Sequence, residues 1–151
     1  MFSSETMISM TDGSKKPIST IRVNDSILDK LNLPMKVTEV NKYLNHEAVG
    51  IQLNNGTGVF YCDRDVKFLC HNVNNNGTST VGYSSINNIH TFSGSSSRLK
   101  SSPKVFSPES DVSITTYDDP TPSHTKDLYC IHTNDGTYAF YVNGVITTCE
   151  N

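Results

Sequence analysis

The chain has 151 residues, of which 12 are Lys or Arg and 15 are Asp or Glu, so its formal net charge is −3. This length predicts one domain with its own hydrophobic core and is too short for two domains of ordinary size. The slight acidity excludes the strongly basic surface that binds nucleic acids, and no apolar run reaches the ~18 residues of a membrane-spanning helix. We therefore expect neither a nucleic acid nor a membrane as a partner.

Short runs rich in β-branched and aromatic residues, separated by turn residues, dominate the chain. The one helical candidate is a short stretch at 26–31, closed by Pro34, which cannot continue a helix. The pattern as a whole predicts an all-β fold. The predicted strands, in chain order, cover residues 7–10, 16–18, 35–40, 48–53, 59–62, 127–133, 138–142 and 145–149.

Turn chemistry separates these predicted strands. Asp12-Gly13 lies in a predicted tight turn, and the segment 54–58 predicts a hairpin. An Asn-Gly or Asp-Gly pair supplies the positive φ angles that a two-residue hairpin needs. Such pairs recur at 76–77, 135–136 and 143–144, so the end of the chain predicts a meander of three strands.

Serine and proline are concentrated between residues 93 and 126. This composition predicts a long loop or insertion, with one candidate strand at 112–116. Because turn-separated strands continue on both sides of it, we expect a single domain over residues 1–151 with this segment inside it. The residues concerned are Ser93, Ser95, Ser96, Ser97, Ser101, Ser102, Pro103, Pro108, Pro120 and Pro122.

Four segments carry a more specific pattern. Residues 1–18 place Phe after the first residue, then Thr-x-Ile-x-Met, an Asp-Gly turn and a basic-Pro-Ile step. The segments 21–28, 59–69 and 138–149 follow in order, and all four resemble the sequence blocks of the Hint (hedgehog/intein) domain family. The resemblance implies a compact, horseshoe-shaped, pseudo-two-fold β domain, in which Asn24 stands where the family has Gly.

The resemblance also says which chemistry to look for. Hint domains cleave the bond before a Cys or Ser at position one, assisted by a His and a Thr of the second block, and splicing types end in His-Asn. Here Met1 takes the nucleophile position, Asp63 the Thr and Val66 the His, while Thr148 and Cys149 fall on the final His and Asn. A thioether has no proton to lose, so methionine cannot act as the nucleophile.

These substitutions predict a Hint-like domain that has lost splicing and autocleavage and serves as a structural or protein-binding module. The expected partner is a protein or a larger assembly such as a virus particle, and no cofactor is expected. If Met1 is the translation start, nothing lies upstream to be cleaved. The alternative is a self-processing intein or autocleaving Hint domain, in which Met1 replaces a native Cys, or in which Cys149 or Asn151 acts by an atypical mechanism.

The four cysteines allow three disulfide pairings. Residues 1–6 lack the basic and apolar regions of a signal peptide, so we expect free thiols and a cytoplasmic or virus-particle location. Cys62 and Cys130 lie in predicted strands and are expected to be small core residues. A weaker alternative is a zinc site formed by Cys62, Cys70-His71 and Cys130-x-His132, although the paired Cys-x-x-Cys spacing typical of such sites is absent.

Overall fold

The computed structural model describes residues 1–73, 76, 78–86, 96–103, 112–117, 125–134 and 138–148. They form 14 strands joined in one antiparallel sheet, and a short 3-10 helix spans Ile18–Thr20. The strands are β1 (Phe2–Ser3), β2 (Met7–Ser9), β3 (Lys15–Pro17), β4 (Ser26–Leu28), β5 (Pro34–Glu47), β6 (Val49–Leu53), β7 (Val59–Cys62), β8 (Lys67–Val73), β9 (Ser79–Ser85), β10 (Ser96–Leu99), β11 (Val112–Tyr117), β12 (Thr125–Thr133), β13 (Ala139–Val142) and β14 (Val145–Thr148).

The sheet order shows how distant parts of the chain meet. The strands follow the path β3-β2-β13-β14-β8-β10-β11-β6-β7-β1-β12-β5-β4, and β9 pairs with β8 beside it. The first strand, β1, therefore lies between β7 and β12, and the last, β14, lies against β8. The predicted all-β fold is confirmed. No helix in the described ranges is both long and apolar enough to cross a membrane.

The predicted helix at 26–31 is wrong, because these residues form β4 and the turn after it. Ile27 is fully buried and pairs with Met35 of β5, which gives the segment a strand partner. The Asp29 side chain then accepts two backbone N–H groups of the turn, at 2.8 and 2.9 Å. Such bonds let an Asp side chain compete with helical hydrogen bonds.

The segment 93–126 contains more of the sheet than we expected. The predicted strand at 112–116 is confirmed as β11, which pairs with β6. Strand β10 was not predicted, and it joins β8 to β11. The rest of the expected loop, at 93–95, 104–111 and 118–124, lies outside the described residues, so that part stays a prediction.

The hairpin predicted at 143–144 is confirmed between β13 and β14. Asn143 and Gly144 have φ angles of 47° and 82°, the left-handed values that an Asn-Gly hairpin needs. In the hairpin at 54–58, Gly56 and Gly58 carry the positive φ angles. The pairs at 76–77 and 135–136 fall partly or wholly outside the described residues.

The core contains four aromatic rings in edge-on or tilted contact. Phe2 lies 6.4 Å from Phe60 and 6.3 Å from Phe140, and Phe60 lies 6.3 Å from Phe68, measured between ring centroids. All four side chains are buried, and Met1 packs against the same cluster at its margin. The first residue of the chain is therefore fixed against the core by its neighbour.

Asn24 provides a test of the Gly position that the resemblance gives in the segment 21–28. Its φ is 76°, and its N–H donates to the Val37 carbonyl oxygen at 2.8 Å. A left-handed backbone costs an ordinary side chain about 1–2 kcal/mol, and Asn tolerates it better.

We expect Asn24→Ala to lower the free energy of unfolding by ~1 kcal/mol in urea titrations. Asn24→Gly should leave that free energy unchanged or raise it; equal losses in both variants would contradict this explanation.

Candidate functional site

Strand β1 places the first residue between two neighbouring strands. Phe2 pairs with Cys62 of β7 on one side and with Tyr129 of β12 on the other. Because the Phe2 ring is fully buried, the backbone of Met1 is held beside the end of β7. The site therefore begins where β7 ends, at Asp63.

Asp63 holds residue 1 through two separate bonds. The Met1 amino nitrogen donates to Asp63 Oδ1 at 2.7 Å, and the Asp63 backbone N–H donates to the Met1 carbonyl oxygen at 3.2 Å. The side chains of Met1 and Asp63 are only 15% and 13% exposed, so this ion pair is largely shielded from water. A carboxylate thus lies at the position where the resemblance puts the family's threonine.

Val66 occupies the position where the resemblance puts the catalytic histidine. Its N–H donates to the Asp63 carbonyl oxygen at 3.4 Å, which closes a turn between β7 and β8. The Val66 side chain is 3% exposed and belongs to the core cluster against which Met1 packs. This position contributes apolar packing and has no group that can exchange a proton.

The last described strand reaches the same region. Thr148 is buried and lies opposite Lys67, the residue directly after Val66, and the Thr147 hydroxyl donates to the Lys67 carbonyl oxygen at 2.8 Å. The structure thus brings four of the predicted site positions, Met1, Asp63, Val66 and Thr148, to one region. Cys149 and Asn151, the other two predicted positions, lie outside the described residues.

Three histidines lie in the part of the chain that the structure describes. His46 bonds to the carbonyl oxygen of its neighbour Glu47, and His132 lies 3.9 Å from the Cys130 sulfur. His71 is buried in β8, opposite Val81 of β9. The bonds of His46 and His132 among the described residues do not reach Met1 or Asp63.

The cysteines do not form the zinc site that we considered. Among the described residues, no three His, Cys, Asp or Glu side chains are grouped to hold a metal ion. Cys62 and Cys70 are free and buried, and burial raises the pKa of each thiol to about 12. The expectation of free thiols is wrong for Cys130, which is disulfide-bonded.

Comparison with solved structures places this geometry in a known fold. The chain superposes on a variant of the MchDnaB-1 intein with a TM-score of 0.69 at 12% identity, covering 99% of this chain and 100% of that one. It superposes on the gp41-1 intein with a TM-score of 0.61 at 19% identity, covering 97% of this chain and 96% of that one. It superposes on a bacterial intein-like domain from Clostridium thermocellum with a TM-score of 0.66 at 15% identity, covering 99% of this chain and 97% of that one. The chain has the Hint fold.

Its sequence matches no protein-family model and no curated protein. The Hint assignment therefore depends on the course of the backbone over almost the whole chain, and these low identities establish the fold alone. Within this fold, residue 1 bonds to Asp63 in the turn after β7, and the end of β14 pairs with β8 at Lys67, directly after that turn.

The resemblance puts Asp63 at the position of the family's threonine, but it does not predict the bond of Asp63 to the nitrogen of residue 1. The signal was present, because replacing a hydroxyl by a carboxylate beside a chain's amino group creates an ion pair.

Proposed function

We propose that this Hint domain has lost protein splicing and autocleavage and serves as a structural or protein-binding module. The observation that supports this most directly is Val66, an apolar side chain packed into the core where the resemblance places a histidine. Loss of one general acid/base lowers the rate of such a reaction by about 10²–10⁴. Loss of the nucleophile at the same site removes the covalent step itself.

The chemistry at residue 1 supports the same proposal. Met1 offers a thioether, which cannot be deprotonated, and the Asp63 carboxylate is engaged by the nitrogen of residue 1. An ionised carboxylate only accepts hydrogen bonds, so Asp63 cannot donate to the carbonyl oxygen of a bond before residue 1. The groups that would attack that bond and polarise it are both missing from these positions.

A module needs a surface for its partner, and the turn between β4 and β5 supplies a candidate. Leu31 and Leu33 are both large exposed apolar side chains of this turn. The same turn is fixed to β13, because the Lys30 N–H donates to the Ala139 carbonyl oxygen at 3.1 Å. A rigid turn that exposes leucines is suited to binding an apolar protein surface.

Self-processing is the second candidate, because residue 1 is held in the turn after β7 by Asp63 and the end of β14 pairs with β8 at Lys67, directly after that turn. In this case Met1 stands in for a native Cys, or Cys149 or Asn151 supplies an atypical nucleophile. A neighbouring histidine would be required from another part of the chain. The two candidates predict different masses for a fusion protein.

The test is intact-mass analysis of the full chain fused between two folded reporter proteins, with and without added thiol. We expect the wild-type and Met1→Cys fusions to keep their full mass, because neither restores a histidine. Met1→Ala serves as the matched control for background proteolysis. A spliced mass, or a thiol-dependent cleaved mass absent from Met1→Ala, would replace the proposed function by self-processing.

A further variant tests whether the substitutions at the three site positions alone account for the proposed loss of self-processing. Met1→Cys, Asp63→Thr and Val66→His combined restore the family's nucleophile, threonine and histidine at once. Cleavage at residue 1 by this triple variant, with none in Met1→Cys, would show that the scaffold still positions the bond correctly. No cleavage in the folded triple variant would mean that the scaffold itself has changed.

A further inference from the structure

We infer that Asp63 makes residue 1 a binding position for a free α-amino group. The nitrogen of residue 1 donates to Asp63 Oδ1 at 2.7 Å, and both side chains are mostly buried. The domain is thus expected to be more stable with a charged amino group at residue 1 than with that nitrogen in an amide bond. This inference does not depend on the proposed function, because the ion pair stands whether or not the domain cleaves itself.

The first step of the argument concerns charge. An ammonium group donates a charge-assisted hydrogen bond to a carboxylate, roughly twice as strong as the bond from a neutral amide N–H. Among the described residues, Met1 is the one ionic partner of Asp63, and the neighbouring Arg64 pairs instead with Glu47 at 3.5 Å. An amide at residue 1 would therefore leave a mostly buried carboxylate without a counter-charge, which is destabilising.

The second step concerns geometry. The backbone N–H of Asp63 also binds the Met1 carbonyl oxygen at 3.2 Å, and the Phe2 ring is fixed in the core. The α-nitrogen is consequently held at the carboxylate with little freedom to move, so little entropy is lost when the ion pair forms. A flexible surface lysine at this position would gain much less.

The consequence is a domain that responds to cleavage before residue 1. Hydrolysis of a peptide bond there consumes one water and leaves a carboxylate on the upstream segment and an amine on residue 1. The amino group so formed on residue 1 is the group that donates to Asp63 in the structure. Any protease that cuts at this position would thus release a more stable domain than the one it acted on.

The test compares the chain with a free amino group and the same chain Nα-acetylated, in wild type, Asp63→Asn and Asp65→Asn. Asp65 is an exposed aspartate of the same turn and is the matched control. Urea titrations give the folding equilibrium constant of each form. Acetylation is expected to lower this constant about tenfold in wild type and in Asp65→Asn, and less than about threefold in Asp63→Asn.

The comparison separates charge from size, because the acetyl group has the same bulk in every background. Equal effects of acetylation in wild type and Asp63→Asn would overturn the inference, as would the absence of an effect in wild type. If Asp63→Asn does not fold, the same comparison is made with Asp63→Thr, which introduces the residue that the family has at this position. Reporter-fusion masses are unaffected by these outcomes, so this inference and the proposed function can fail separately.

Discussion

Replacing Phe2 by alanine is expected to lower the free energy of unfolding by about 3–5 kcal/mol. Phe2 is fully buried, and its ring contacts both Phe60 and Phe140, so the change leaves a cavity between strands from three parts of the chain. Domains of this size are stable by about 5–15 kcal/mol, so the loss is a large share of the total. Urea unfolding followed by far-ultraviolet circular dichroism measures it.

Leu44→Ala is the matched control for Phe2→Ala. Leu44 also lies in a strand but is 68% exposed, and its truncation should change the free energy of unfolding by ~0.5 kcal/mol or less. A Phe2→Ala loss no greater than that of Leu44→Ala would mean that β1 is not part of the core.

The effect of acetylating residue 1 on stability should also be smaller in Phe2→Ala, because the buried Phe2 ring holds Met1 beside Asp63.

Local turn chemistry explains why much of the sheet could be predicted from the sequence. The pair Asn143-Gly144 requires left-handed backbone that few other residues tolerate, so the last hairpin follows from two adjacent residues. The alternation in 59–62 likewise predicts a strand, and β7 has those bounds, with Phe60 and Cys62 facing the core. In both places the deciding interactions lie within a few residues of each other.

Where contacts between residues far apart in the chain determine the structure, the sequence alone did not predict it. The apolar spacing at 26–31 suits a helix, and only pairing of Ile27 with Met35 and the Asp29 turn make it a strand and a turn. Strand β10 has no strong pattern of its own and forms because β8 and β11 flank it. The Met1–Asp63 bond joins residues 62 positions apart, and the resemblance to Hint blocks, which lists residues along the chain, did not predict this contact.

The substitutions at the site are physically consistent with one another. Met1 and Val66 both contribute apolar surface to the same cluster, where the family's residues would contribute a thiol or hydroxyl and an imidazole. Burying an imidazole at Val66 without a hydrogen-bond partner would cost about 1–3 kcal/mol. Apolar packing at these two positions therefore favours stability, which is consistent with the proposed loss of catalysis.

Raising the pH above 9 is expected to destabilise the domain through its two buried thiols. Burial raises the pKa of Cys62 and of Cys70 from the ordinary value of 9.0 to about 12. Between these values the unfolded chain has lost two protons that the native chain still holds, so the free energy of unfolding falls as pH rises. The slope approaches about 1.4 kcal/mol per pH unit for each thiol above pH 9, and because the unfolded thiols are only half deprotonated at pH 9, the two together lower the free energy of unfolding by about 2 kcal/mol between pH 9 and 10.

Urea titrations between pH 7 and 10 on wild type and on the Cys62→Ala/Cys70→Ala variant isolate this contribution. The double variant should be less stable at pH 7, because it loses packing, yet its stability should fall less between pH 9 and 10. The fall that it retains includes Tyr141, whose pKa is raised by burial and secondarily by Asp29. Parallel pH profiles for the two proteins would contradict the prediction, since they would mean that neither thiol is kept neutral by the fold.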